Sequence, residues 1–146
     1  MVPDDASPTP APQLHEVVGR GQDLGLVGEH VAERWAARRG WSVVARRFRV
    51  GHRDIDLIVQ RGQTIAFVEV KTRRVSAMRA SAAFGGPIGA VGRQKRRHLT
   101  HAATVWIDRH GGPGLEYRFD VIGVLVDRER IRVAHVENAF PAWTGR

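Results

Sequence analysis

The stretch IDLIVQRGQTIAFVEVK, residues 55–71, decides the fold of this 146-residue chain. Apolar and polar residues alternate along residues 54–60 and again along residues 65–71, and a turn at residues 61–63 separates the two runs. Alternation with a period of two is typical of β-strands, whose successive side chains point to opposite faces of a sheet. The stretch therefore predicts a β-hairpin whose first strand directs Asp54, Asp56 and Ile58 to one face and Ile55, Leu57 and Val59 to the other.

The second strand of this hairpin carries Glu69 and Lys71 on the face of Phe67, opposite Ala66, Val68 and Val70. If helices cover both faces of the sheet, Glu69 is costly there unless a partner or a metal ion compensates it. Asp56 and Glu69 on adjacent strands form an oxygen-rich site suited to magnesium or manganese. Lys71, on the same face as Glu69, could then orient or activate an attacking water or neutralise charge on a phosphate.

An isolated Glu-x-Lys motif is too common to indicate function, because a half-exposed strand with a surface Glu–Lys pair produces the same pattern. Here the motif ends an apolar strand and follows an aspartate on the preceding strand of the hairpin. This placement favours the metal-site interpretation over the surface pair.

The flanking sequence predicts the remaining elements. A helix begins near Asp23 and stops at Gly40, a loop rich in Arg, Ser, Ala and Gly occupies residues 72–87, and Gly111–Gly114 ends a second helix. The predicted order is helix, three strands, helix, two strands, which favours an α/β fold with a mixed central sheet flanked by helices. The other predicted strands are Trp41–Arg49, Tyr117–Val126 and Ile131–Val136, and the second helix runs from about Ile88 or Gly89 to His110.

The N-terminal residues 1 to about 20 lack hydrophobic periodicity and are rich in proline, so they are predicted to be a disordered arm. Residues 21–140 suit a single domain, followed by a tail at 141–146. The N-terminus has neither the basic start nor the apolar stretch of a secretory signal, and no apolar run approaches the roughly 20 residues that span a bilayer. A cytoplasmic protein without a membrane segment is therefore expected.

The composition bounds the chemistry. The chain has no cysteine, which excludes disulfides, thiol catalysis and Cys-ligated zinc. Its 23 Lys+Arg against 15 Asp+Glu give a formal charge of +8, and nearly all the basic residues are arginine. Such a surface attracts polyanions such as nucleic acid, although a genome-wide preference for solvated arginines would give the same composition.

Several segments together resemble the YraN-type family of small bacterial proteins, a branch of the PD-(D/E)XK nuclease superfamily that includes restriction endonucleases and archaeal Holliday-junction resolvases. The resemblance runs from about Leu24 to Val136 and implies a restriction-endonuclease-like core. The chain departs from the family pattern before Ile55, where Arg53-Asp54 replaces the usual Gly-Glu and puts a role for Asp54 in doubt. The matching segments are Gly28-Glu29, Ile55–Ile58, Phe67–Arg73, Lys95 and Arg118–Val121.

By this resemblance Asp56 and Glu69 are metal carboxylates and Lys71 is the catalytic lysine. Glu29 on the first helix matches an additional acidic metal ligand, but a glutamate in a first helical turn is also favoured by the helix dipole. Asp120 matches a family position, and a structural salt bridge explains it as readily as catalysis. Gln94 and Lys95 match auxiliary positions of the second helix, and the expected nucleic-acid contacts are Arg73, Arg74, Arg93, Arg96 and Arg97, for which a solvated helix face is the alternative at Arg93, Arg96 and Arg97.

The function implied is a metal-dependent endonuclease that uses Mg or Mn to cleave DNA phosphodiesters and depends on nucleic-acid structure rather than sequence. A homodimer is compatible, because relatives that cut both strands act as dimers. The alternatives are a non-catalytic nucleic-acid-binding module with the same fold, and an interaction subunit whose arginines serve a protein partner. His98 and His101 have the i, i+3 spacing of metal ligands, but without a third ligand nearby they are predicted to form a polar helix face.

Overall fold

The computed structural model describes residues 24–74, 90–127 and 130–141. Two α-helices and five β-strands lie within these residues, in the predicted order α-β-β-β-α-β-β. The helices are α1 (Leu24–Arg38) and α2 (Arg93–His110), and the strands are β1 (Ser42–Val50), β2 (Arg53–Arg61), β3 (Thr64–Arg74), β4 (Glu116–Val126) and β5 (Ile131–Val136).

The five strands form one mixed sheet in the order β1-β2-β3-β4-β5. Strand β2 pairs antiparallel with both β1 and β3, which confirms the predicted meander. Strand β4 pairs parallel to β3, and β5 returns antiparallel to β4. A parallel neighbour needs a long crossover connection, and this connection contains α2. The predicted α/β fold, a mixed sheet flanked by helices as in restriction-endonuclease-like cores, is confirmed.

Each face of the sheet has its own hydrophobic core, because α1 packs on one face and α2 on the other. Both faces are therefore covered, which is the condition under which a charged residue on β3 needs compensation. The α1-side cluster contains Ala32, Ala36, Trp41, Leu57, Val59, Ala66, Val68, Ile122, Val124 and Val126. The α2-side cluster contains Ile55, Ile58, Ile65, Phe67, Val91, Leu99, Ala102, Ala103, Trp106, Phe119, Val121 and Phe140.

Glycines make the tight connections around the first strands. Gly40 follows α1 with a φ of +84°, at the position where the sequence predicted the helix to stop. Gly62 has a φ of +59° in the turn between β2 and β3. A residue with a Cβ is disfavoured in this left-handed region, so glycine lets the chain reverse at both points with little strain.

Three sequence-based expectations differ from the structure. Residues 72–74 continue β3 rather than open a loop, because they pair with β4 up to Arg74 opposite Val126. Helix α2 begins at Arg93, and residues 90–92 precede it without being helical, so the predicted start near Ile88 or Gly89 was too early. Ile55 packs with Ile58 in the α2-side cluster instead of joining Leu57 and Val59, because the alternation along β2 breaks at Asp56.

The described helices include none that is both long and apolar enough to cross a membrane. The predicted N-terminal arm, the N-cap at Asp23, most of the 72–87 loop, and residues 142–146 of the tail lie outside the described residues.

Candidate metal centre

The candidate site lies where β2 and β3 part. Their pairing reaches Leu57 opposite Val68, and one further step in the same register would set Asp56 opposite Glu69. Instead of that backbone pair, Oδ2 of Asp56 accepts a hydrogen bond from the amide of Val70 at 2.7 Å. The Asp56 side chain thus accepts a hydrogen bond from β3 where a backbone carbonyl of β2 would otherwise do so. The carboxylates of Asp56 and Glu69 lie on either side of the point at which the two strands separate.

Glu69 is largely covered, with 16% of its side chain exposed. Its Oε2 is buried and has no hydrogen-bond partner among the described residues. The Nζ of Lys95 on α2 lies 3.7 Å from this oxygen, which makes an ion pair but is too long for a hydrogen bond. A buried polar atom left without a hydrogen bond destabilises the fold by about 1–3 kcal/mol. A ligand bound to this oxygen would offset that cost.

The pKa values of both carboxyl groups are raised. Burial, and next the negative charge of Glu69, raise the pKa of Asp56 to about 7, against the lowering effect of the Val70 hydrogen bond. Burial also raises the pKa of Glu69, although Lys95 and Lys71 oppose the shift. Two poorly solvated carboxyl groups, one of which disfavours ionisation of the other, are typical of sites that bind a cation.

This donor set fits Mg or Mn. Both ions prefer carboxylate oxygens, and Asp56 and Glu69 supply these from adjacent strands. No three His, Asp or Glu side chains in the described ranges are grouped closely enough to hold a metal by themselves. Magnesium commonly binds through one or two protein carboxylates and retains several waters, so two protein ligands are sufficient.

Lys71 follows Glu69 on the same face of β3, as predicted. Its Nζ donates a hydrogen bond to the carbonyl oxygen of Ala90, in the segment that leads into α2. Burial lowers the pKa of Lys71, and the neighbouring Glu69 charge counteracts that shift. A lowered pKa eases proton transfer at Nζ, a property that a catalytic lysine requires.

Helix α1 brings Glu29 towards the site through a close approach at Gly28. A Cβ added to Gly28 would lie 1.7 Å from Oγ1 of Thr72 on β3, so only glycine allows this contact. Glu29 is one of the charges that raise the pKa of Asp56, after burial and Glu69. Its carboxylate is bound to the Nε of Arg47 at 2.9 Å, and the structure does not group it with Asp56 and Glu69.

Two residues near the site were not assigned by the sequence. Arg47 has a left-handed φ of +47°, and no local pattern announces such a conformation in a strand. Asp54, to which the sequence assigned only a doubtful role, adds to the effect of burial in raising the pKa of both Asp56 and Glu69. The feature of the sequence that could have indicated this effect is the negative charge of Asp54 directly before Ile55.

The other predicted site residues divide into two groups. Lys95 pairs with Glu69, whereas Gln94 is exposed on α2. Arg96 is tied to its own segment, because its Nε donates to the Val91 carbonyl at 2.6 Å and its guanidinium lies 5.4 Å from the Phe140 ring. The exposed arginines that remain are Arg73, Arg74, Arg93 and Arg97.

Asp120 belongs to a separate, buried network. It is 2% exposed and contacts Arg118 at 3.1 Å and His135 at 2.7 Å, while the amide of Asn138 donates to its Oδ1 at 3.2 Å. Its neighbour in the parallel ladder is Val68, a member of the α1-side cluster. Of the two interpretations left open by the sequence, these contacts favour the structural salt bridge.

The histidines of α2 form no metal site within the described chain. His101 is exposed, and the ring of His98 packs edge-on against His52 in the β1–β2 turn, with centroids 5.8 Å apart. The predicted polar helix face describes this region better than a pair of ligands.

Comparison with known proteins gives a consistent family assignment. Residues 28–124 match the model of a family described as "Uncharacterised protein family UPF0102". The chain is 41% identical to a UPF0102 protein of Nocardia farcinica over 109 residues, which cover 75% of this chain and 81% of the relative. It is also 39% identical to a UPF0102 protein of Anaeromyxobacter dehalogenans over 119 residues, or 82% and 84% of the two chains.

A relative from Streptomyces griseus, again a UPF0102 protein, shares 42% of 108 residues and covers 72% of this chain and 84% of its own length. The matched span, residues 28–124, starts at the glycine that contacts Thr72 and includes β2, β3 and α2. The residues that form the candidate site therefore all lie within the part that is shared with this family.

Proposed function

We propose that this chain, which belongs to the UPF0102 family, is a metal-dependent nuclease that cleaves DNA phosphodiesters. UPF0102 is the YraN-type family that the sequence resembles, a branch of the PD-(D/E)XK-like nucleases. One observation carries the proposal. Two partly buried carboxyl groups with raised pKa values lie where β2 and β3 part, and one of them holds a buried oxygen without a hydrogen bond.

In this proposal Asp56 and Glu69 hold Mg or Mn. The ion, when bound, supplies a Lewis acid that activates water and stabilises negative charge on the phosphate. Lys71 lies beside Glu69 and orients the attacking water or neutralises charge on the phosphate through Nζ. The contact between Nζ and the Ala90 carbonyl restrains this lysine at the start of the segment leading into α2.

The exposed arginines near the ends of β3 and α2 supply the electrostatic attraction for nucleic acid. Arg73 and Arg74 end β3 next to Lys71, and Arg93 and Arg97 lie on the first turns of α2 next to Lys95. Contacts of this kind bind phosphates and carry no sequence information. The protein would therefore recognise the structure of the nucleic acid, such as a branch or a flap, rather than its sequence. A homodimer is the form that could cut both strands.

Cleavage assays on branched, flapped and single-stranded DNA test this function. We expect cleavage that requires Mg or Mn and is abolished by a chelator. Glu69→Gln and Lys71→Ala should each lower the rate by about 100-fold or more, which is the usual scale of a lost general acid–base or electrostatic contribution. Glu33→Gln is the control and should retain the activity, because Glu33 lies on α1 and pairs with Arg46 outside the candidate site.

A second candidate function is a non-catalytic nucleic-acid-binding module. The ion pairs of Glu69 with Lys95 and of Glu29 with Arg47 favour it, because both neutralise acidic groups without a metal. Such a module would bind DNA in a salt-sensitive manner, and Asp56→Asn would leave that binding unchanged. If the wild-type protein binds the whole DNA panel and cuts none of it with either metal, this function replaces the nuclease.

A further inference from the structure

Two ion pairs join β1 to α1, one helical turn apart. The Nε of Arg46 donates to Glu33 at 2.9 Å, and the Nε of Arg47 donates to Glu29 at 2.9 Å. Neighbouring residues in a regular strand point to opposite faces of the sheet, so both arginines could not reach the same helix. The left-handed φ of +47° at Arg47 removes this conflict and directs its guanidinium to Glu29.

The same residue lies beside the candidate metal centre. Strand β1 pairs with β2 through Arg46 opposite Leu57 and Phe48 opposite Ile55, so Arg47 is opposite Asp56. The Arg47 side chain is 53% exposed, whereas the Glu29 side chain is 23% exposed. About half of the Arg47 side chain is thus accessible to solvent, and Glu29 is the more enclosed partner of the pair.

We propose that Arg47 is a positioning residue that withholds Glu29 from the metal and releases it when a phosphate of the nucleic acid binds Arg47. This inference rests on the proposed function, because it requires a metal at Asp56 and Glu69. Arginine binds carboxylate and phosphate groups with the same donors, so the two anions compete for Arg47. Glu29, once released, becomes a third carboxylate for the metal.

The exchange couples two ligands. A phosphate group that takes Arg47 strengthens metal binding through Glu29, and by linkage the metal strengthens phosphate binding by the same factor. Arg47 acts on the metal only through Glu29 in this account. Removing Arg47 should therefore have an effect that depends on whether residue 29 carries a carboxylate.

Calorimetric titration of the full chain with Mn²⁺ tests this. Arg47→Asn removes the guanidinium but keeps a residue that tolerates a positive φ, and we expect it to tighten Mn²⁺ binding about three-fold, the scale of an exposed ion pair. Arg46→Asn is the matched control, because it removes the same charge and the neighbouring ion pair, and it should have little effect. In the Glu29→Gln background, Arg47→Asn should change the Mn²⁺ affinity by less than about 1.5-fold.

Dimethyl phosphate, a small phosphodiester, is the probe for the exchange. At matched ionic strength it should tighten Mn²⁺ binding to the wild type and have a smaller effect on Arg47→Asn. Equal effects of Arg46→Asn and Arg47→Asn on the Mn²⁺ affinity would overturn the proposed role of Arg47. So would a gain in affinity from Arg47→Asn that persists in the Glu29→Gln background. Neither result would affect the proposed metal site. Absence of any Mn²⁺ binding that Asp56→Asn removes would overturn both this inference and the proposed metal site.

Discussion

At Asp56, burial and the charge of Glu69 raise the pKa to about 7, so the folded metal-free protein binds a proton that the unfolded chain releases near pH 4. For a carboxyl group shifted in this direction, stability is highest at low pH and falls as pH rises from about 4 to about 7. The raised pKa of Glu69, also caused first by burial, acts in the same direction. The metal-free site is therefore expected to weaken the fold at neutral pH.

Asp56→Asn tests this cost. The asparagine can still accept the hydrogen bond from the Val70 amide but carries no charge. In the presence of a chelator, we expect the variant to be more stable than the wild type above about pH 7, by on the order of 2 kcal/mol, with the difference shrinking towards about pH 5. Urea denaturation at several pH values measures this, and a variant that is less stable at every pH would contradict it.

The same protons compete with the metal. Because binding requires ionised carboxylates, the apparent Mn²⁺ affinity should rise steeply up to about pH 7, by up to roughly ten-fold per pH unit, and level off above that. Burial and Glu69 set the position of this break through the pKa of Asp56. Calorimetric titrations between about pH 5.5 and pH 8 measure it, and an affinity that is flat across this range would exclude Asp56 as a ligand.

At the scale of the elements, α1 is held against β3 by the contact between Gly28 and Thr72. Gly28→Ala would place a Cβ 1.7 Å from Oγ1 and 2.8 Å from Cβ of Thr72, and both atoms belong to a strand residue. We expect a loss of about 1–3 kcal/mol in the free energy of unfolding. Gly92→Ala, where an added Cβ meets nothing within 4 Å, is the matched control in denaturation experiments. Equal stabilities of the two variants would show that α1 can move away without cost.

Strands β4 and β5 are tied together by Asp120. Removing its carboxylate leaves Arg118 and His135 without their shared partner, so Asp120→Ala should cost about 3–5 kcal/mol. Glu116→Gln, an exposed change on the same strand, should stay within about 0.5 kcal/mol of the wild type. Thermal and urea denaturation distinguish these results, and a loss below about 1 kcal/mol at Asp120 would contradict a stabilising network.

The elements differ in how far the sequence predicts them. Alternation on β3 places Glu69 and Lys71 on the face of Phe67, and the α2-side cluster confirms that side. The start of α2 was predicted too early, because Val91 is apolar and fits the helical pattern although it lies before the helix. The conformation of Arg47 could not be predicted, since a positive φ at an arginine costs about 1–2 kcal/mol and is maintained only by tertiary contacts such as that with Glu29.

Across the whole molecule, the formal charge of +8 would favour contact with a polyanion such as nucleic acid. Arg93 and Arg97 lie on the first turns of α2, beside the Lys95 that pairs with Glu69, whereas Arg109 lies near the other end of the helix, roughly 18 Å beyond Arg97 at 1.5 Å per residue. A double change of Arg93 and Arg97 to Gln should weaken DNA binding and flatten the salt dependence by up to about 2 in the slope of log K against log salt. Arg109→Gln should change neither.

The slope is measured by titrating salt into complexes of DNA with each variant and monitoring binding by fluorescence anisotropy. Equal losses for the double variant and for Arg109→Gln would mean that charge alone, and not a surface beside the carboxylates, attracts the nucleic acid. In that case Arg93 and Arg97 would have no special role in DNA binding.

A divalent metal ion bound between Asp56 and Glu69 would be detected by anomalous diffraction from crystals soaked in Mn²⁺. We expect one strong peak within coordination distance, about 2.0–2.3 Å, of carboxylate oxygens from both residues. Lys95 should then have moved away from Oε2 of Glu69, which lies 3.7 Å from its Nζ in this structure. Soaked crystals with no peak there, and with the contact between Lys95 and Glu69 intact, would contradict the metal site.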